Sequence, residues 1–387
     1  MAAVLFWIAA GLIAYHHFAY PAIIRLLAST RKPAGATAGL AAPFPTVTVI
    51  VPAHNEAGVI KEKIRNLLAL DYPADRLTML VALDGCGDDT RSLADEAIGA
   101  HSSKSVALIE YKTNIGKVAV LNDQIARVTS DIVVLTDASA TVAADALIRG
   151  VTHFIDPSVG VVTGRYSVKG LEGRGEAVYW RYQSDVRAAE SALAGPIGAH
   201  GAFYMFRRSG WSPLPADTIN DDFVLPMSIV LRGFRAAFEP GIVAQELEPT
   251  RSEQEFRRRI RIGAGNLQQV LRLRNLADPR RGWVAFAFLS GKALRGVLPF
   301  VILTMLASSF ALAVQGSRFF QLAFALEVLL IALGAWGGSI PRLRKGRLTG
   351  PMIYLLEGYL ALGVGAAYVL SRRGRHVWRM SKLSNAS

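Results

Sequence analysis

The sequence predicts an α/β domain with a mostly parallel sheet, flanked by apolar segments long enough to cross a membrane. Two observations lead to this. Between Thr46 and about Arg274, short β-branched runs alternate with helical patterns, as strands joined by crossover helices do. On both sides of that stretch apolar residues pool, and over all 387 residues hydrophobic side chains reach 51% while charged ones make up 19%. A soluble globule carries about 25% charge.

The elements follow in order. Ala2 to Leu27 is apolar except for His16, His17 and Arg25, and about 20 such residues suffice to cross hydrocarbon. It lacks a basic n-region and a small-x-small cleavage site, so residues 1–28 read as an uncleaved transmembrane helix. Arg25, Arg31 and Lys32 follow that span and no Lys or Arg precedes it, which directs the next domain to the cytoplasm. Residues 29–45, rich in Ala, Gly, Pro and Thr, form a linker, and 46–275 form the α/β domain. Its expected strands are Val47 to Val51, Thr78 to Leu83, Val106 to Tyr111 and Ile132 to Leu135. Its expected helices run through Glu62 to Leu70, Thr90 to Ala97, Lys117 to Val128 and Asp145 to Phe154.

Residues 276–296 mix aromatics such as Trp283 with Lys292 and Arg295, the composition of an interfacial amphipathic segment. The C-terminal transmembrane region, 297–370, holds three apolar runs near Val297 to Val314, Phe319 to Trp336 and Met352 to Leu370; a basic tail, 371–387, closes the chain. Three crossings would leave that tail outside. Either Met352 to Leu370 is re-entrant, as Glu357, Gly358, Gly363 and Gly365 allow, or the Trp283 segment adds a crossing. The net charge is +13, which alone fits nucleic acid, anionic lipid or a phosphorylated substrate. No zinc-finger spacing or RNA-binding aromatic motif is present, and Arg342, Arg344, Lys345, Arg347, Arg372, Arg373 and Arg375 sit beside apolar spans. Membrane lipid, not nucleic acid, is the expected partner. The single cysteine, Cys86, excludes an internal disulfide.

In parallel sheets ligands bind beyond the carboxyl ends of the strands, and polar residues collect there. Val51 runs into Pro52, Ala53, His54, Asn55 and Glu56; Leu83 into Asp84, Gly85, Cys86, Gly87, Asp88 and Asp89; Leu135 into Thr136, Asp137, Ala138 and Ser139. One acidic strand end would be a helix cap. Three on one edge mark a site.

The ordered series VTVIVPAHNEA, LDGCGDDT, TNIGK, VVLTDAS, GAHGAFYMFRR, INDDFVLPMSIVLRGFR and RRIRIGAGNLQ resembles the family 2 glycosyltransferases, whose fold is GT-A, over roughly Thr46 to Gln268. The apolar flanks look like those of the family's membrane-bound polysaccharide synthases. The resemblance implies an inverting transferase that moves a sugar from a nucleotide-diphosphate donor, UDP-linked as a first expectation, to a lipid-linked or polysaccharide acceptor. A catalytically silent nucleotide-sugar-binding scaffold is the alternative, and four charged positions on one site argue against it.

By that resemblance, Pro52, Asn55, Glu56, Asp84, Lys117, Asp137 and Arg261 bind the donor. Carboxylates such as Glu56 and Asp84 accept hydrogen bonds from ribose hydroxyls and a base N–H; a first-turn acid and a turn residue are the plainer readings. Asp88 and Asp89 read as a helix cap. Lys117 is either a phosphate contact at a helix start or a solvated lysine. Asp137 matches the first acid of the family's Asp-x-Asp element, which binds Mg²⁺ or Mn²⁺; the second position is Ser139 here, a weaker oxygen ligand. Asp222, after Asp221, matches the general base; both also suit a helix N-terminus. Gly198, His200 and Gly201 fall in the acceptor loop, with His200 equally explained as a packed histidine. The processive enzymes' Gln-x-x-Arg-Trp motif reads Arg258, Arg259, Ile260, Arg261, Ile262 here: Arg261 is kept, Gln is Arg258 and the stacking Trp is Ile262. That departure favours single addition over processive extension.

Overall fold

β1 (Val47–Ala53) is the strand about which the soluble part is organised: six of its seven residues are buried, which a strand covered on both faces requires. The structure, a computed structural model, describes residues 1–30, 44–99, 106–168, 174–247, 252–344 and 346–371; most of the expected linker, the basic tail beyond Ser371 and Lys345 lie outside the described residues. The chain divides into two compact units, one of residues 32–170 and 194–249, the other of 1–31, 171–193 and 250–387.

The first unit carries one eight-stranded sheet. The other strands are β2 (Leu77–Asp84), β3 (Val106–Tyr111), β4 (Ile132–Leu135), β5 (Ala140–Thr141), β6 (Val159–Val168), β7 (Tyr204–Arg207) and β8 (Arg235–Glu246), in the order β3-β2-β1-β4-β7-β6-β8-β5. β1, β2, β3 and β4 are parallel, with Ile50 level with both Leu80 and Leu135. Helices Ile60–Leu68, Thr90–Gly99 and Lys117–Arg127 make the crossovers. The strand order reverses at β1, the position where such sheets open a ligand crevice. β7 then runs antiparallel to both β4 and β6, while β6 and β8 are parallel. The sheet is therefore mixed, and the sequence pattern had offered only its parallel half.

Helix Ile60–Leu68 covers the sheet with Ile60, Ile64 and Leu67, all essentially inaccessible, each worth about 1.5–3 kcal/mol of burial. Lys63 lies on that same buried face at 0% exposure.

The second unit is helical. Four of its helices are long and apolar enough to cross a membrane: Ala2–Ser29, Trp283–Val314, Arg318–Ser339 and Thr349–Leu370. Trp283–Val314 is one helix that takes in the aromatic segment from Trp283 to Gly296. The first and second contain π-helical turns, Tyr15–Ala19 and Phe288–Ala293, and these meet: the Tyr15 hydroxyl lies 2.8 Å from Ser290 Oγ, and His16 Nδ1 3.1 Å from the Ser290 carbonyl. Tyr20 donates to Glu190 at 2.5 Å, and Tyr359 Oη is 2.6 Å from His17 Nε2.

Gly365 and Glu357 of Thr349–Leu370 have a packing explanation, while Gly358 has open space around it and Gly363 only an ordinary contact with Pro299. Helix Ser252–Arg272 lies against it so closely that a Cβ on Gly365 would stand 2.4 Å from the Ala264 nitrogen, and one on Gly263 2.8 Å from Leu362 Cα. Glu357 pairs with Arg259 at 3.4 Å, and the Arg259 guanidinium sits 3.8 Å from the Tyr354 ring centre. Arg258 and Arg261 are half-buried on this helix.

Candidate active site

Three strand ends and one helix start build the site of the first unit. β1 leaves the sheet through Asn55, whose φ of 56° is left-handed, a conformation asparagine tolerates better than most residues. Asn55 Oδ1 accepts the Gly87 amide at 2.8 Å, which ties the loop after β1 to the loop after β2. Pro52 is half-buried near the end of β1. The Glu56 amide donates to Thr90 Oγ1 at 2.8 Å, and its carbonyl accepts from Val59 and Ile60 at the following helix start.

Asp84 is 4% exposed and its carboxylate is engaged by the chain itself, accepting the amides of Ile115 at 2.7 Å and Gly116 at 2.9 Å. The Asn114–Gly116 turn is thus shaped by Asp84, and Gly116, at φ 91°, is followed directly by the helix that starts at Lys117. Gly85, at φ 59°, has no space for a Cβ, which would lie 2.2 Å from the Asn114 nitrogen. Asp88 caps the Thr90–Gly99 helix: its oxygens take both donors of Thr90, at 3.0 and 2.5 Å, and the Ala57 amide at 3.3 Å. Burial opposes that charge, and the hydrogen bonds from Thr90 outweigh it and lower the Asp88 pKa. Cys86 donates weakly to the Ala53 carbonyl, and burial pushes its thiol up, so it makes no ready nucleophile.

Lys117 reaches across the crevice. Its ammonium lies 2.8 Å from Asp137 Oδ1 and 3.3 Å from Asp221 Oδ2. Burial opposes the charge on both Lys117 and Asp137, yet their attraction prevails: the lysine pKa is raised, with Asp221 and Asp222 adding to the pull, and the Asp137 pKa is lowered. The Asp137 amide donates to the Gly201 carbonyl at 3.2 Å, and the Gly201 amide donates to Asp222 Oδ2 at the same length. A Cβ on Gly201 would stand 2.8 Å from Asp137 Oδ2, so glycine leaves room for the carboxylate. Gly198, at φ 95°, packs under Phe223. His200 stacks on Tyr166, ring centres 3.6 Å apart, and its Nδ1 accepts the Ala202 amide at 3.2 Å.

Helix Asp221–Leu231 opens with the two acids and contains Pro226. Proline has no amide to give the carbonyl four residues back. That carbonyl belongs to Asp222, and it accepts from Ala199 at 3.0 Å.

The structure therefore brings Asp137, Asp221, Asp222, Lys117, Gly198, His200 and Gly201 together; Asn55, Glu56 and Asp84 frame the neighbouring strand ends. Arg258 and Arg261 belong to the other unit. Among the described residues no three His, Cys, Asp or Glu side chains form a metal cluster. One carboxylate, Asp137, with the half-buried Ser139 beside it, suits a hard divalent cation that brings phosphate oxygens of its own, and the space kept by Gly201 fits that use.

Two buried groups escaped the sequence reading. Tyr204, 1% exposed, has a hydroxyl with no partner among the described residues; burial, then Asp221, Asp222 and Asp137, raise its pKa far above the usual phenol value. Lys63 donates to Thr136 Oγ1 and to the Ala140 carbonyl, both at 2.6 Å, and burial pulls its ammonium down to about 7 against the pull of Asp137 and Glu246. The available signal was its place in the spacing Ile60, Lys63, Ile64, Leu67, a lysine where a helix buries its apolar stripe.

Residues 45–265 match the family described as glycosyltransferase like family 2. A poly-beta-1,6-N-acetyl-D-glucosamine synthase of Staphylococcus aureus is 25% identical over 239 residues, covering 58% of this chain and 56% of the relative. A beta-monoglucosyldiacylglycerol synthase of Synechocystis is 26% identical over 310 residues, covering 76% and 62%. The chain thus spans less than two thirds of the length of either relative. Among solved structures, the mannosyltransferase PcManGT of Pyrobaculum calidifontis, in complex with GDP-Man and Mn²⁺, matches with a TM-score of 0.71 and 27% identity over 95% of this chain and 99% of that one. More than half of the sequence carries the family's pattern on the family's fold, and the chain belongs to glycosyltransferase like family 2.

Proposed function

We propose that this enzyme transfers a sugar from a nucleotide-diphosphate donor to a lipid-linked or glycan acceptor, with inversion, in a membrane whose cytoplasmic side carries the catalytic unit. The observation that carries this reading is the Lys117 bridge, a cation held between Asp137 and Asp221 at the sheet's topological switch.

In this reading Asp222 takes the proton of the acceptor hydroxyl. The acceptor oxygen forms its bond to the anomeric carbon while the bond from that carbon to the diphosphate breaks, and the nucleoside diphosphate leaves with the electron pair. The Gly201 amide orients the Asp222 carboxylate, and Asp221 holds Lys117 toward the phosphates. Asp137, with Ser139, would hold Mg²⁺ or Mn²⁺, which when bound supplies positive charge to the leaving diphosphate. Asn55 and Asp84 keep the donor-side loops in place, with Pro52 and Glu56 at their edge. Arg258 and Arg261 are proposed, from the resemblance of their motif alone, as an acceptor contact and a diphosphate contact. A solved neighbour bound to GDP-Man and Mn²⁺ supports the donor class and the metal. Relatives named for a polysaccharide and for a glycolipid support the acceptor class. Arg25 near the C-terminal end of the first helix and Arg342, Arg344 and Arg347 between the last two fall on one side when all four helices cross, in favour of a cytoplasmic catalytic unit, while Arg372, Arg373 and Arg375 then fall on the other.

The test is turnover by the full chain in detergent or nanodiscs with Mg²⁺ or Mn²⁺. The panel is UDP-glucose, UDP-N-acetylglucosamine, UDP-galactose and GDP-mannose with membrane lipid extract. Metal-dependent release of nucleoside diphosphate that Asp222→Asn abolishes is the expected result. Binding of nucleotide sugar without turnover in any combination would favour the silent scaffold instead.

A further inference from the structure

We propose that Lys63 is a positioning residue: its buried amine straps both ends of the Thr136–Ala140 loop so that the single carboxylate of Asp137 can hold a metal–diphosphate group. This rests on the function proposed above and extends it to a residue that touches neither donor nor metal.

Lys63 is fully buried on a helix whose other inward residues are aliphatic. A methionine there would fill the space without the cost of burying an amine. The amine is directed at one short stretch of chain. It donates at 2.6 Å to Thr136 Oγ1, just before Asp137, and at 2.6 Å to the carbonyl of Ala140, just after Ser139. Thr136 Oγ1 in turn donates to the Ala202 carbonyl at 2.7 Å, next to the glycine that contacts both Asp137 and Asp222. The Thr136 amide is held by the Ile50 carbonyl, and Ala140 pairs with Glu246 of β8. Both ends of the loop are anchored through the main chain, and the Lys63 side chain bonds to both. A site with two carboxylates on this loop tolerates some play, because either oxygen donor can follow the cation. A site with one carboxylate and a hydroxyl loses its geometry when the loop moves by a fraction of an ångström.

The test compares full-length wild type with Lys63→Met and Thr136→Val in detergent. Affinity for UDP and GDP is measured by calorimetry with Mn²⁺ and with EDTA, alongside thermal unfolding. The expected result is a Lys63→Met protein that unfolds at or above the wild-type temperature. It binds nucleoside diphosphate in Mn²⁺ about tenfold or more weakly, with little change in EDTA. Thr136→Val should show the same metal-specific loss in smaller measure, and it decides the matter if Lys63→Met does not fold. Wild-type affinity in Mn²⁺ for the deciding variant overturns the strap, as does an equal loss with and without metal, which is what general damage to the fold would give. If wild type itself binds neither nucleotide, the proposed function fails and the strap falls with it.

Discussion

The main-chain carbonyl of Asp222 accepts the amide of Ala199 at 3.0 Å, in the place where an uninterrupted helix would bond it to residue 226. Pro226 leaves that carbonyl open to the loop, so a proline that weakens the helix joins the helix of Asp221 and Asp222 to the Gly198–Gly201 segment.

Pro226→Ala restores an amide that competes for the same carbonyl. Helix propensity alone favours alanine by about 3 kcal/mol, so the variant should unfold at an equal or higher temperature. Turnover should fall about tenfold as the loop is released, with the donor KM little changed. Steady-state kinetics beside thermal unfolding decide; full activity would show that the loop does not depend on this bond.

Gly201→Ala puts a methyl 2.8 Å from Asp137 Oδ2. The carboxylate is too short to yield without leaving its place. Metal-supported turnover should fall by about tenfold or more, with the Mn²⁺ concentration for half activation raised. A titration of rate against Mn²⁺ checks this, and an unchanged midpoint would contradict it.

The amine of Lys63 is held at about 7, below its ordinary 10.5. Between those values the unfolded chain binds a proton that the folded protein does not. Stability from this group therefore rises as pH is raised from about 7 toward 10.5, by at most about 1.4 kcal/mol per unit, and is lost as pH falls through that window. Unfolding of wild type and Lys63→Met across pH 7 to 10 isolates the effect as a difference. Parallel curves would mean that the amine titrates normally.

Tyr204→Phe removes a buried hydroxyl that has no partner among the described residues. An unsatisfied polar group costs about 1–3 kcal/mol, so the variant should be as stable as wild type or more so. A clear drop in unfolding temperature would reveal a partner for that phenol.

Gly365→Leu forces a side chain into the contact with Ala264 and Ile260. Overpacking of this kind costs about 1–3 kcal/mol and should free helix Ser252–Arg272 from Thr349–Leu370. Faster trypsin cleavage among Arg257 to Arg261 in detergent reports it, and an unchanged digestion pattern would speak against the close packing.

The strand-end edge was legible because parallel strands align their carboxyl ends: Glu56, Asp84 and Asp137 could be assigned to one edge from β-branched runs alone. Asp221 and Asp222 stood out as paired acids at a helix start. What the acids bond to was not legible. Asp84 suggested a ribose contact, yet its oxygens hold the Ile115 and Gly116 amides, a link over a stretch of chain that no spacing reveals. His200 left two readings open, and its stack on Tyr166 favours the packed one. Lys63 passed as an ordinary polar residue of an amphipathic helix, since exposure is the usual fate of lysine. Pro226 read as one residue of a helical run, because its effect needs Ala199, which the sequence does not place. β6, β7 and β8 lacked the regular alternation with helices that marked the first four strands, and register shifts between β6 and β8 blur any period there.

β4 is four residues long and is the seam of the sheet, parallel to β1 on one side and antiparallel to β7 on the other. Everything N-terminal to Asp137 in the crevice comes from the βα repeats, and everything after it from the strands and helix that follow. The two sides of the crevice are therefore inherited as two consecutive stretches of chain that share one short border. On the function proposed above, exchange of the segment after β4 for that of a related enzyme, with the Gly201 and Asp222 contacts kept, would transplant acceptor choice onto an unchanged donor platform.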